Sequence, residues 1–226
     1  MKKIEFKRRN IIMMIMASVV SAALCCTTLQ AKEKVWRFDD IPTGKLPIGW
    51  KVDATNPVGD LASWQVVRDK SAPSFSQVLA LTSINHNNAA AFNLCWTDSI
   101  SFLDGEIEVK FKASTGSVDQ GGGVIWRVLD AENYYIARFN PLEDNFRLYS
   151  VKNGTRRELA GASVSLPAGE WHTLKIVQKG DRYAGYLNGK KYLEGRDDTF
   201  LKRGGAGLWS KADAVTSFDD FSVKTK

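Results

Sequence analysis

The chain has 226 residues and a formal net charge of +6, but residues 1–31 hold five of its 31 Lys and Arg residues and one of its 25 Asp and Glu residues. In residues 32–226 the balance is 26 basic to 24 acidic side chains, which lacks the basic excess typical of a nucleic-acid binder. Residues 32–226 contain a single cysteine, Cys95, which excludes an intramolecular disulfide scaffold. A domain of this length can bury a hydrophobic core that is stable without disulfides or metal ions.

Residues 1–31 have the order of a secretory signal peptide. A basic start leads into the uncharged run from Ile11 to Cys26, and Ala31 offers a small residue for cleavage. The run is short for a membrane span, and no second apolar run follows it. Lipid attachment at Cys25 or Cys26 is the alternative. Such a site has a small residue directly before the cysteine and a branched apolar residue three positions before it, and neither cysteine has both. We therefore expect an exported protein, periplasmic or extracellular, with no membrane span and one domain over residues 32–226.

Hydrophobicity alternates with period two along most of residues 32–226. The clearest run is Glu106–Ala113, in which Ile107, Val109 and Phe111 face one way and charged residues the other, as in a half-buried antiparallel strand. Similar runs predict strands over 35–39, 63–68, 78–82, 89–95, 123–129, 134–140, 145–151, 172–178, 182–187, 190–194, 206–210 and 216–223. A dozen or more short strands without long amphipathic helices predict an all-β sandwich or barrel.

Turn signals and the chain ends refine this expectation. Asn188-Gly189 lies between two apolar runs and predicts a two-residue hairpin turn. The first and last strands are expected to pair, because chain termini often meet in such folds. Their predicted core residues are Trp36, Phe38, Phe218, Phe221 and Val223.

The order of motifs resembles the concanavalin A-like lectin/glucanase jelly roll. The motifs are Phe38-Asp39-Asp40, Leu46-Pro47-x-Gly49-Trp50, Phe102-x-Asp104-Gly105-Glu106, Gly122-Gly123-Val124-Ile125-Trp126-Arg127, Asn133-Tyr134-Tyr135-Ile136-Ala137-Arg138, Glu170-Trp171-His172, Tyr186-Leu187-Asn188-Gly189, Gly205-x-Gly207-Leu208-Trp209 and Phe218-Asp219-Asp220-Phe221-x-Val223. Within that superfamily the chain is most similar to the 3-keto-disaccharide hydrolase domain family and to laminin-G-like modules. The resemblance implies two stacked antiparallel sheets, one of them concave and holding sugars.

Strand alternation predicts which side chains line that concave sheet. Val124, Trp126 and Val128 are assigned to the core. The opposite face then carries the predicted ligand-binding residues Arg127, Tyr134, Arg138, Asn140, Arg147 and Tyr149. Tyr rings stack on pyranose rings, while Arg and Asn supply directional hydrogen bonds, so this composition suits carbohydrate. A solvated outer sheet face is the alternative interpretation.

Catalytic chemistry is less clearly indicated, and the sequence leaves open whether the protein is an enzyme. Ordinary glycoside hydrolysis needs two carboxyl groups, and Glu106 with Glu108 is better explained as part of a mixed-charge solvent face. In the resembled family a 3-keto sugar would be cleaved by elimination, which needs a base and an electrophile. Arg127, Arg138 or a bound metal could serve as electrophile, and His86 could be a base. The family pattern places an acid where this chain has Tyr135 or Ile136, a difference that favours binding over catalysis.

A structural calcium ion is a further expectation. Asp39 and Asp40 would meet Asp219 and Asp220 if the terminal strands pair, and clustered carboxylates suit Ca²⁺. The alternative is that these residues cap turns or face solvent. The sequence therefore leaves three functional classes open: a glycoside hydrolase of 3-keto-disaccharide type, a non-catalytic carbohydrate-binding module, and a laminin-G-like protein adhesion module.

Overall fold

The computed structural model describes residues 32–57, 59–84 and 90–226, and these residues form fifteen β-strands and no helix. The strands are β1 (Lys32–Trp36), β2 (Trp50–Thr55), β3 (Ser63–Arg68), β4 (Gln77–Ser83), β5 (Phe92–Phe102), β6 (Gly105–Thr115), β7 (Gly122–Asp130), β8 (Asn133–Asn140), β9 (Asn145–Lys152), β10 (Thr155–Ser163), β11 (His172–Lys179), β12 (Arg182–Leu187), β13 (Lys190–Arg196), β14 (Gly204–Lys211) and β15 (Val215–Thr225).

The strands pair into two antiparallel sheets. Sheet A has the order β13-β12-β11-β6-β15-β4-β3, with β1 also paired to β15. Sheet B has the order β10-β9-β8-β7-β14-β5-β2. The predicted sandwich of two antiparallel sheets is confirmed, and so is the pairing of the first and last strands, in which Trp36 lies opposite Phe221.

Two strands were not predicted. The edge strand β10 has the sequence Thr-Arg-Arg-Glu-Leu-Ala-Gly-Ala-Ser, which lacks a regular apolar alternation. The other edge strand, β2, is short and carries Lys51 and Asp53 among its apolar residues. An edge strand pairs on one side only, so its ladder hydrogen bonds depend on one neighbour and its sequence is less constrained.

The main core lies between the sheets. Sheet A contributes Val109, Phe111, Leu174, Ile176 and Phe218, and sheet B contributes Val124, Trp126, Tyr135, Phe139 and Leu148. Phe38, Phe218, Phe221 and Val223 are buried as predicted, and Trp36 packs against the core while partly exposed. The Asn188-Gly189 turn is confirmed too, since both residues have positive φ, 49° and 78°.

Sheet B is so strongly curved that two of its corners meet over its outer face. Thr55, at the end of β2, lies within 2.6 Å of Tyr134 Oη on β8, although three strands separate β2 from β8 in the sheet. The Thr55 hydroxyl is also within 2.5 Å of Ala131 O, and Asn56 Nδ2 donates to Gly154 O at 3.0 Å. The concave outer face therefore encloses a second, smaller apolar cluster, made of Phe92, Leu94, Trp96, Ile125, Val128, Tyr134, Ile136, Val151 and Trp209.

Candidate functional site

The outer face of sheet B brings most of the predicted ligand-binding residues together. Arg138 on β8 pairs in register with Arg147 on β9, and the residues two positions away pair likewise, Asn140 with Asn145 and Ile136 with Tyr149. Register partners lie on the same face of a sheet, so Tyr134, Arg138, Asn140, Arg147 and Tyr149 share one face, as the alternation predicted.

Arg138 is the centre of a hydrogen-bonded group at one end of this face. Its Nη2 donates to Glu143 Oε2 at 2.8 Å and to Tyr149 Oη at 3.2 Å, and its Nη1 donates to Asn145 Oδ1. Only 2% of the Arg138 side chain is exposed, whereas 38% of Arg147 is. We call Arg138, Glu143, Asn145, Arg147 and Tyr149 the Arg138 cluster.

Glu143 reaches this cluster from the turn between β8 and β9. Burial by itself would raise the pKa of Glu143, but hydrogen bonds from Asn145 and Arg138 outweigh it, so the pKa lies below the ordinary value of 4.5. Both donors bind the same oxygen, Oε2. The carboxylate is therefore ionised at neutral pH and keeps its second oxygen for other contacts.

Asn140 shapes the turn that presents Glu143. Its Oδ1 accepts hydrogen bonds from the backbone N–H groups of Leu142 and Glu143, at 2.8 and 3.2 Å, and its Nδ2 donates to Asp119 Oδ1 at 3.1 Å. Because Asn140 is fully buried and its amide is used in this way, we assign it to positioning rather than to ligand contact.

An open cleft lies beside the Arg138 cluster. Its volume is about 170 Å³, and its lining includes Asn145, Arg147 and Glu158. Arg147 Nη1 lies 3.5 Å from Glu158 Oε2 across β9 and β10. Both residues are substantially exposed, so water or a ligand can compete for this ion pair.

Arg156, on β10, lies close to the same aromatic surface. Its guanidinium lies 4.4 Å from the centre of the Tyr149 ring and 5.1 Å from that of Phe92. Arg156 Nη1 and Arg138 Nε are both buried and have no hydrogen-bond partner among the described residues. Buried donors of this kind are rare and costly, and both atoms lie beneath the surface that a ligand would contact.

Tyr134 lies on the predicted face but inside the second apolar cluster. The side chain is fully buried, its hydroxyl contacts Thr55, and burial raises its pKa well above the ordinary value of 10.0. Its contacts favour a structural role in holding the two corners of sheet B together.

The structure places Arg127 differently from the face that strand alternation predicts. This residue has a positive φ of 48° and lies at an irregularity in the β7–β8 register. Beyond it, the side chains of β7 point to the opposite faces from those that the alternation predicts. Val128 therefore belongs to the outer cluster, and Arg127 points away from Arg138. Its guanidinium donates to the carbonyls of Leu103, Phe200 and Gly180 and to Asp104 Oδ1. The assignment of Arg127 to the ligand-facing surface is therefore wrong, because a bulge interrupts the two-residue period.

The remaining predicted site residues lie elsewhere. His86 lies outside the described residues. Asp219 accepts hydrogen bonds from Ser74, Asp39 accepts them from the backbone of Ser76 and Gln77, and Asp40 is exposed.

Asp220 is paired with Lys110 at 2.8 Å and with Arg37 at 3.6 Å. Asp39, Asp40, Asp219 and Asp220 thus do not converge on one point, and the described residues contain no group of three or more acidic, His or Cys side chains suited to a metal ion. N–H and cationic groups contact most of these carboxylates, and a structural calcium ion stays a prediction.

Neither Glu143 nor Arg156 was among the site residues predicted from the sequence. Glu143 was visible as an acid in a turn next to the Arg138 strand. Arg156 carried no signal, because β10 itself was not predicted and its position depends on the curvature of sheet B.

Comparison with known proteins identifies a family and several solved structures with a similar fold. Residues 44–224 match the family described as the 3-keto-alpha-glucoside-1,2-lyase-like domain. Among curated protein sequences, none matches significantly. In residues 32–57, 59–84 and 90–226 there is no helix long and apolar enough to cross a membrane.

Three solved structures share the fold. The carbohydrate binding module CBM66 from Bacillus subtilis has a TM-score of 0.60 and 22% identity, over 79% of this chain and 96% of that one. The Bacillus licheniformis beta-glucanase has a TM-score of 0.53 and 13% identity, over 87% and 98%. A Bacillus subtilis protein with a galectin-like fold has a TM-score of 0.53 and 14% identity, over 76% and 87%. The predicted concanavalin A-like jelly roll is confirmed.

Proposed function

Because the chain belongs to the 3-keto-alpha-glucoside-1,2-lyase-like domain family, we propose that it binds a carbohydrate at the Arg138 cluster on the concave face of sheet B. Two of the proteins that share its fold are named for carbohydrate chemistry, a carbohydrate binding module and a beta-glucanase. Fold likeness alone does not license an activity, so the proposal depends on the site.

The observation that carries the proposal is the open cleft beside Arg138 and Tyr149, which is lined by Asn145, Arg147 and Glu158. Sugar hydroxyls are acceptors as well as donors, and they can bond the exposed guanidinium of Arg147 and the exposed carboxylate of Glu158. The carboxylate of Glu143 can accept a hydrogen bond from a hydroxyl through Oε1. Aromatic rings and planar guanidinium groups with directional donors together form a surface suited to sugar recognition.

A second candidate function is elimination on a 3-keto glycoside, favoured by the contact between Glu143 and Arg138. Glu143 would take the C2 proton, the C2–H electron pair would form the C1–C2 double bond, and the glycosidic oxygen would leave from C1. Arg138 would stabilise the negative charge that develops on the C3 oxygen. The lowered pKa of Glu143 makes it a weaker base, and for this reason we rank binding first.

The experiment uses plain and 3-keto disaccharides with wild-type protein, followed by NMR. Binding alone predicts selective broadening of one sugar's signals without product, and at least a tenfold loss of affinity in Arg138→Ala. Elimination predicts release of the leaving sugar and its loss in Glu143→Gln. Lys175→Ala, on the opposite sheet, is the matched control and should change neither. Absence of both effects with every sugar would contradict the proposal and favour the adhesion-module alternative.

We also propose that the protein is exported, from the basic, apolar and small-residue order of residues 1–31. Fractionation of producing cells with antibody detection should place the protein outside the cytoplasm, shortened by about the length of that segment. Full-length protein in the cytoplasm would contradict export.

A further inference from the structure

A second cleft opens on the outer side of sheet B, around Trp96 on β5. Its volume is about 310 Å³, and its lining residues include Lys51, Trp96, Asp98, Leu129 and Arg203. Trp96 lies three strands from Arg138 in the order β8-β7-β14-β5, roughly 14 Å along the sheet at normal strand spacing. We call this the Trp96 cleft.

Two cations and one carboxylate are the charged residues that line the cleft. Lys51 Nζ lies 3.8 Å from the centre of the Trp96 ring and 2.8 Å from Asp98 Oδ2. Arg203 Nη1 donates to the carbonyl of Ser101 at 3.3 Å, so most of its N–H groups are left for other acceptors. The charge balance of the cleft therefore favours an anion.

The other walls are apolar. Ile100, Val128 and Leu129 line the cleft, and Leu129 is 45% exposed. Gly205 lies against the six-membered ring of Trp96, where a Cβ would approach to 2.8 Å. A small, charged ligand such as acetate would leave these apolar walls uncovered, whereas a sugar ring has C–H faces that can pack on them.

Trp96 adds one more unsatisfied group. The residue is only 4% exposed, and its Nε1 has no hydrogen-bond partner among the described residues. That N–H is buried, so it reports on the surroundings of the cleft and is not itself a ligand contact. The two cations and the apolar walls are features that one ligand class can satisfy together.

We propose that the Trp96 cleft binds a sugar residue that carries a carboxylate, a hexuronate, as a site separate from the Arg138 cluster. The carboxylate contacts Lys51 and Arg203, and the sugar's C–H face packs on Leu129, which is 45% exposed. Asp98 competes with the ligand for Lys51, so it weakens binding in the free protein. This inference rests on its own contacts and does not require the Arg138 cluster to bind sugar.

The test compares methyl β-glucuronide with methyl β-glucoside, which differ only in oxidation at C6, and with acetate, which has no ring. Nitrogen-15 NMR of the full protein reports the Trp indole N–H signals, and Trp96→Phe identifies that of Trp96. The glucuronide should shift the Trp96 signal saturably, and the glucoside and acetate should bind at least tenfold more weakly.

Variants of exposed residues then assign the contacts without threatening the fold. Arg203→Ala should weaken glucuronide binding about tenfold, Asp98→Asn should strengthen it several-fold, and the exposed Lys179→Ala should leave it unchanged. An unresponsive Trp96 signal, or equal responses to glucuronide and glucoside, would overturn the proposal, and equal responses to glucuronide and acetate would overturn its sugar component.

Discussion

The two outer faces of the sandwich use charged residues in opposite ways. On sheet A, Lys175 Nζ lies 3.9 Å from Glu106 and 4.0 Å from Glu108, and Lys110 is paired with Asp220. These side chains are mostly between about one third and one half exposed. On sheet B, Arg138 is 2% exposed and holds Glu143, Asn145 and Tyr149, while one of its donors has no partner.

Burial, rather than residue type, separates the two faces. The exposed pairs of sheet A sit in water that screens them, so they contribute little stability. On sheet B, Arg138 is shielded from water, so each of its polar contacts counts for more, while Arg147 and Glu158 beside it stay open to a ligand. A charge-rich strand therefore indicates a site only where curvature buries its face.

Removal of Arg138 should give the largest effect. Arg138→Ala removes the charged donor to Glu143 and the donor to Asn145 Oδ1, and we expect the free energy of unfolding to fall by about 2 kcal/mol. Urea denaturation measures this change. Arg138→Lys keeps the charge but not the fork of donors, and it should recover only part of the loss. Equal stability of wild type and Arg138→Ala would mean that the two faces do not differ as described.

Loss of the contact between the corners of sheet B should have a smaller effect. Thr55→Val removes the buried hydroxyl that Tyr134 Oη and Ala131 O contact, and should cost about 1–2 kcal/mol. The amides of residues 131–134 should also exchange hydrogen faster. Thr173→Val on sheet A is the control, and a matching loss there would show that the effect is not specific to the closed corner.

The pH dependence of the free energy of unfolding should show the contribution of Glu143 on the outer face of sheet B. Its pKa is lower in the folded protein than the ordinary 4.5, so its ionised form adds stability that is fully present above about 4.5 and is lost as the pH falls through the folded-state pKa. The stability difference between wild type and Glu143→Gln should therefore shrink between about pH 5 and pH 3. A difference that stays constant over this range would contradict the assigned contacts.

The smallest effect is expected on sheet A. Lys175→Ala removes two long, partly exposed ion pairs, and the free energy of unfolding should change by less than about 0.5 kcal/mol. The same urea titration gives the value, and salt should not alter it measurably. A loss of about 2 kcal/mol would show that this face is not merely a solvated surface.

Local patterns were sufficient for the architecture. The alternation of Ile107, Val109 and Phe111 predicts a strand with one buried face, and the structure buries all three. Asn188-Gly189 predicts its turn, because only residues that tolerate positive φ fit a two-residue hairpin. Arg138, Arg147 and Tyr149 were placed on a common face, because side chains alternate strictly across a regular strand.

Other features depended on contacts between distant parts of the chain. The bulge at Arg127 reverses the alternation within β7, and nothing in the local pattern marks it. Glu143 comes to Arg138 from a turn, and Thr55 reaches Tyr134 only because sheet B curls through four strand spacings. Alternation is a property of each strand by itself, so the sequence determined two stacked sheets and, outside the bulge at Arg127, which residues share a face. Curvature depends on how strands twist against one another, and so only the tertiary structure decided which face closes over buried arginines and which stays in water.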